Sequence, residues 1–218
     1  MSKRIDTIDI AKGIAICAIV IGHVSTGLLW DAFLIFATAS FFLLSGLTVY
    51  YDPEEKGIGW RKEVSPMAFF KKTAGRLLFP YAVWGLISII IYMILGQVAV
   101  SMLGLENESV DLLHNLLGLL FGNSSSGYFD WNRPLWFLPC LFIVEVIAYT
   151  VLRLTEKSQG LQTLAAAVTA ILSLGWLYFL SLHESETFVW FFETETALAM
   201  LSFFMIGVLI RRLYINLS

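Results

Sequence analysis

AFLIFATASFFLLSGLTVYY, Ala32 to Tyr51, is a run of 20 residues without one charge. A helix crossing the hydrocarbon core of a bilayer needs roughly 20 mainly apolar residues. In lipid each backbone N–H and C=O must find its partner within the segment, and a helix does this alone. The run therefore reads as a spanning helix. Working outward, the pattern recurs. One span precedes it, Ile8 to Leu29. A third lies within Leu77 to Leu105, uncharged throughout and long enough to require a tilt or a break near Gly96. A fourth is Pro134 to Leu152, interrupted by Glu145. A fifth is Leu161 to Leu182. A sixth starts near Glu193 or Thr196 and ends at Ile210. Leu112 to Gly122 is apolar but too short to cross, and reads as an interfacial or re-entrant helix whose Gly118-x-x-x-Gly122 spacing suits close helix packing.

The bulk numbers agree. Of 218 residues, 58% are hydrophobic and 14% charged, and the mean hydropathy is +0.77. Soluble domains carry about 25% charged residues. The expected fold is all-α, a polytopic transmembrane helix bundle of about six spans. A net charge of −3 implies no nucleic-acid partner. Cys17 and Cys140 sit inside apolar runs and read as free thiols, and no Cys/His spacing suits a metal. The basic N-terminus suggests a signal peptide, but Asp6 and Asp9 interrupt it and no small-residue cleavage site follows, so the first span is read as retained.

Lysine and arginine mark the cytoplasmic side of membrane proteins. With the N-terminus in the cytoplasm, six crossings put Lys3, Arg4, Lys12, Lys56, Arg61, Lys62, Lys71, Lys72, Arg76, Arg153, Lys157, Arg211 and Arg212 inside. Only Arg133 falls outside, with Asp31, Glu106, Glu108, Asp111, Asp130, Glu184 and Glu186. The expected location is the cell membrane, multi-pass, with both ends inside and lipid as the surrounding partner. In the loop after the second span, Ser65-Pro66 is a helix start, a capping hydroxyl followed by proline in the first turn. Met67, Phe70, Ala74, Leu77 and Leu78 fall near one face, with Lys72 and Arg76 on another. This predicts an amphipathic helix on the inner membrane surface, turning into the third span at Pro80.

Ionisable residues inside a span are costly, about 2.5–3.5 kcal/mol on insertion scales, so each is a functional candidate. Lys12 and His23 are eleven residues apart, about three turns plus 20° and roughly 16 Å along one helix face. Asp9 shares that side. Lys12, at the inner end, reads by itself as a snorkelling anchor. His23 lies deep, either bonded to a neighbouring helix or serving as a neutral general base. Glu145 needs a partner, and a structural hydrogen bond would satisfy it. Ser45-Gly46 is ordinary at a helix contact. Lys71, Lys72 and Arg76 suit lipid headgroups or a phosphate-rich ligand. His114 and His183 are expected at the surface.

These residues carry a resemblance. RIDTIDIAKGIAICAIVIGH (Arg4 to His23) resembles the first span of the membrane acyltransferase-3 superfamily, which runs from a basic residue through Asp and Arg/Lys-Gly to a histidine. FFLLSG (Phe41 to Gly46), KKTAGRLLFPY (Lys71 to Tyr81) and PLWFLPCLF (Pro134 to Phe142) resemble its following motifs in order, closest to the fucose O-acetylase-like branch. The resemblance implies transfer of an acetyl group from cytoplasmic acetyl-CoA to a hydroxyl of a surface polysaccharide or its lipid-linked precursor. His23 would be the catalytic base and Glu145 would orient it if the helices meet. Asp9, Lys12, Ser45, Lys72, Arg76 and Trp136 would bind substrates, Lys12 along the thioester arm with Asp9 holding it. Acetyl-CoA would be the donor, a carbohydrate the acceptor, and no metal would take part. Two features depart from the family pattern. Thr73 stands where an arginine is common, and members usually continue beyond six spans, so residues 1–218 read as one domain incomplete at the C-terminus. The competing readings are half of a proton-coupled transporter or flippase, and an inactive truncated relic.

Overall fold

The computed structural model describes residues 6–24, 28–48, 51–52, 57–58, 65–103, 112–122, 130–183 and 191–217. Lys3, Arg4, Lys56, Arg61, Lys62, Glu106, Glu108, Asp111, Glu184 and Glu186 lie outside the described residues. Seven α-helices make up nearly all of the described chain: α1 (Asp6–Val24), α2 (Leu28–Leu47), α3 (Pro66–Leu103), α4 (Leu112–Phe121), α5 (Phe137–Leu154), α6 (Gln159–Leu182) and α7 (Thr194–Leu217). A two-residue antiparallel ladder, Tyr51–Asp52 with Gly57–Ile58, follows α2. Short 3₁₀ turns, Asp130–Trp136 and Phe191–Glu193, lead into α5 and α7. The all-α membrane bundle expected from the sequence is what forms.

Among the described residues, four helices are long and apolar enough to cross a membrane: Pro66–Leu95, Pro134–Leu154, Gln159–Leu182 and Phe191–Leu213. The first two expected spans are redrawn. The stretch Ile8–Leu29 does not run as one helix; α1 ends at Val24 and Leu28 already belongs to α2. α2 starts at Leu28 and ends at Leu47, so it begins and ends ahead of the expected second span, Ala32 to Tyr51.

A second correction concerns Pro80. The Ser65 hydroxyl accepts from Ala68 N at 3.2 Å, so the expected cap is present. The helix it starts does not turn at Pro80, nor break at Gly96, but runs unbroken for 38 residues to Leu103. Proline removes one N–H, leaving the carbonyl four residues back, that of Arg76, without its helical partner. Membrane helices tolerate this where neighbouring groups re-satisfy the freed carbonyl. The amphipathic stretch is therefore the first turns of α3 itself. Its apolar side packs on α5: Phe69 stacks on Tyr149 (centroids 4.0 Å apart) and Phe70 meets Phe142 edge-on at 5.3 Å.

Antiparallel pairings order the bundle. On α3 and α5, Phe69 meets Tyr149, Arg76 meets Glu145, and Ser88 accepts from Asn132 just before α5. On α6 and α7, Trp176 Nε1 donates to the Glu195 carbonyl and Arg212 to that of Gln159. On α1 and α2, Lys12 meets Thr48 and Gly22 lies against Leu34. The central contact is α2 on α7. A Cβ on Gly46 would sit 1.9 Å from the Phe204 carbonyl oxygen, and one on Gly207 would sit 2.1 Å from that of Leu43. Glycine at both positions lets the two backbones touch. Phe42, Cys140, Val144, Ala148, Met205 and Val208 fill the core beside this crossing. The short helix α4 ends at Gly122, whose φ of +65° suits glycine and whose N–H caps the Gly118 carbonyl at 2.9 Å.

Candidate functional site

Lys12, two turns into α1, is half-buried. Its ammonium donates to Thr48 Oγ1 at 3.1 Å, and the Thr48 hydroxyl donates in turn to the Ser45 carbonyl at 2.7 Å. Nζ also stands 6.0 Å from the Phe41 ring centroid. The ammonium lies in the field of Glu145, then Asp9, and is opposed by Arg76. Arg76 bonds the Glu145 carboxylate; the guanidinium side chain is 58% exposed and the carboxylate side chain 10%. Four charges, two of each sign, thus gather from α1, α3 and α5. Asp9, three residues before Lys12 on α1, adds to the field on its ammonium.

Eleven residues along α1, His23 makes two hydrogen bonds. Nδ1 lies 2.8 Å from the Ile19 carbonyl. Nε2 receives the indole N–H of Trp136 at 3.3 Å. Trp136 immediately precedes α5, and Glu145 lies nine residues further along the chain. Descending from the His23–Trp136 contact on the two helices, roughly 16 Å on α1 and 14 Å on α5, leads to Lys12 and Glu145. This explains why the two ends of the site match in depth.

Glu145 and His23 share no hydrogen bond in the structure. Glu145 bonds Arg76, and both ring nitrogens of His23 are engaged by Ile19 and Trp136. Nine residues of chain, roughly 14 Å of helical rise, separate Glu145 from the Trp136 that meets the imidazole.

Between the two ends runs an aromatic wall. Phe41 meets Phe137 at 4.6 Å, Phe42 meets Phe137 at 5.4 Å, and Phe137 meets Trp136 at 6.1 Å, all edge-on. The motifs around Phe41 and Trp136 are thus adjacent in space. On α1, Ala15 and Ile19 fill the direct line between Lys12 and His23 and are buried. At about 100° per residue, Lys12 and His23 fall at the border of that buried face. Ile16, 45% exposed, flanks them on the open side. Since α1 and α3 share no extended contact, a ligand reaching from Lys12 to His23 would follow this border.

Of the other candidates, Ser45 is buried at the α2 end, and Gly46 beside it is a packing position against α7. Lys72 is exposed on α3, one turn before Arg76, with Lys71 beside it. Thr73 is buried between them and the core. Thr48 and Phe137 were missed by sequence reasoning, as was the packing role of Gly207. An apolar groove of about 380 Å³, lined by Met67, Phe69, Val146 and Tyr149 among others, lies on the α3–α5 flank and holds none of the charged residues. Among the described residues no cluster of His, Cys, Asp or Glu suits a metal ion.

A family model described as an acyltransferase domain, that of the acyltransferase-3 superfamily, matches residues 5–218. No curated protein and no solved structure matches the chain.

Proposed function

Because the chain belongs to this acyltransferase family, we propose that it moves an acetyl group from acetyl-CoA to a carbohydrate hydroxyl, with His23 as the general base. The observation that carries the assignment is the state of the imidazole. A backbone carbonyl only accepts and an indole N–H only donates. Nδ1 therefore bears the proton and Nε2 presents a lone pair. That is the form a base needs. As the acceptor oxygen attacks the thioester carbonyl, its proton passes to Nε2. The C–S bond then breaks and the departing thiolate takes the proton back. The acceptor would be a surface polysaccharide or its lipid-linked precursor, as the resemblance of the motifs implies.

The Lys12 end suits the donor. Lys71 and Lys72 are exposed there, and Arg76 keeps more than half of its side chain open while it bonds Glu145. A guanidinium carries five donors, so a phosphate oxygen can be bound without surrendering the carboxylate. Glu145 is assigned the holding of Arg76, Asp9 and Thr48 the holding of Lys12. The clustering of cations at this end supports its placement in the cytoplasm, where acetyl-CoA is found. The cell membrane is then the site of action.

The test is His23→Ala, assayed with labelled acetyl-CoA and polysaccharide acceptors. Loss of a general base costs typically 10²–10⁴-fold. Undiminished transfer by a folded His23→Ala protein would overturn the assignment.

A further inference from the structure

We propose that Trp136 is a positioning residue that occupies the lone pair of His23 until an acceptor hydroxyl displaces it, and so guards the acyl donor against water. The inference rests on His23 being the base.

The two bonds of His23 admit one arrangement. With Ile19 accepting and Trp136 donating, only the neutral Nδ1–H form satisfies both. The Nε2 lone pair is thus already covered. At 3.3 Å the covering bond is a long one beside the ~2.9–3.0 Å of N–H···O bonds, and a neutral indole donor is replaceable by a hydroxyl. The indole is nonetheless held in place. Phe137 backs it edge-on at 6.1 Å, and Phe41 and Phe42 clamp Phe137 in turn. Phe41, Phe42 and Phe137 are buried.

His23 is half-buried at the far end of α1, where the helix stops at Val24. Water is the obvious competitor for an uncovered base there. A water bonded to Nε2 would lose its proton to the ring while its oxygen bonds to the acyl carbon. The C–S bond would break, the thiolate would take the proton, and acetate and free CoA would result. Water brings only its own hydrogen bond to this contest. An acceptor sugar brings the binding energy of its remaining groups, which can be spent on displacing the indole. A replaceable donor on the base therefore discriminates between the two.

The experiment follows thiol release from acetyl-CoA by the purified full chain without acceptor. Trp136→Phe keeps the ring packing and removes the N–H. Hydrolysis is expected to rise about tenfold, the scale of one hydrogen bond, and to vanish in the double variant with His23→Ala. Unchanged or slower hydrolysis in a folded Trp136→Phe protein overturns the inference. A second measurement needs no Trp136 variant: ¹⁵N NMR of histidine-labelled protein, with the His23 signals identified by their loss in His23→Ala. A single neutral Nδ1–H tautomer is expected, while an Nε2–H or mixed population overturns the inference. If His23→Ala keeps full acetyl transfer, the base assignment itself falls. If it abolishes transfer while Trp136→Phe leaves hydrolysis unchanged, only the guarding role falls.

Discussion

Arg76 and Glu145 are separated by 69 positions in the chain, yet they form the ion pair that joins α3 to α5. A carboxylate this shielded depends on its partner, whereas an arginine this exposed can still be solvated alone. Removing the arginine should therefore hurt more than removing the glutamate. In thermal unfolding of the detergent-solubilised protein, Arg76→Ala is expected to destabilise more than Glu145→Ala. The double variant should show a coupling of about 0.5–3 kcal/mol, the range for residues in contact. Strict additivity would show that the pair does not exist in solution. The contrast with His23 explains what was legible at this scale. A lone imidazole in an apolar run stands out by composition, and helix periodicity alone aligns it with Lys12. Its bond to Trp136, 113 positions away, depends on how α1 meets the start of α5. No periodicity within one helix encodes that, nor the bond that Glu145 makes to Arg76.

Between helices, the consequences of Pro80 and of Gly46 and Gly207 can be separated. If α3 is one helix through Pro80, labels at Met67→Cys and Ile94→Cys, in a background lacking Cys17 and Cys140, stand about 40 Å apart by helical rise. A distance well below this, measured by pulsed electron spin resonance, would restore a surface helix turning at Pro80. The sequence rule that proline breaks helices failed here because the rule is weighed in water, while in lipid an unbroken helix is favoured for its satisfied backbone. At the α2–α7 crossing, Gly46→Ala and Gly207→Ala each drive a methyl into a backbone carbonyl. Each is expected to lower stability by about 1–3 kcal/mol or more, the cost of overpacking. Gly13→Ala and Gly75→Ala, where a Cβ meets nothing within 4 Å, should not destabilise and should gain up to about 1 kcal/mol of helix propensity. Equal effects at all four positions would contradict the crossing. Gly46 was visible beforehand as a small residue in a span, but its partner Gly207 was indistinguishable from any other glycine in an apolar run.

At the scale of the whole molecule, one end of the bundle gathers cations among the described residues. Lys12 meets Thr48 there, Arg76 meets Glu145, and Arg212 reaches back to the start of α6 at Gln159. Arg153 pairs with Glu156 in the turn between α5 and α6, beside Lys157. The lysine and arginine count anticipated this grouping from sequence, because retention of cations on the cytoplasmic side is a property of whole loops and needs no side-chain geometry. The proposed acyl donor would meet these cations first. If this end faces the cytoplasm, Lys157→Cys, in a background free of Cys17 and Cys140, should react with a membrane-impermeant maleimide only in inside-out vesicles. His183→Cys, at the opposite end of α6, should react in intact cells. The 24 residues of α6 span about 36 Å, enough to separate the two labels across a bilayer. The reversed labelling pattern would place Lys71, Lys72 and Arg76 on the side without acetyl-CoA, and the donor path from Lys12 to His23 would then have the wrong direction.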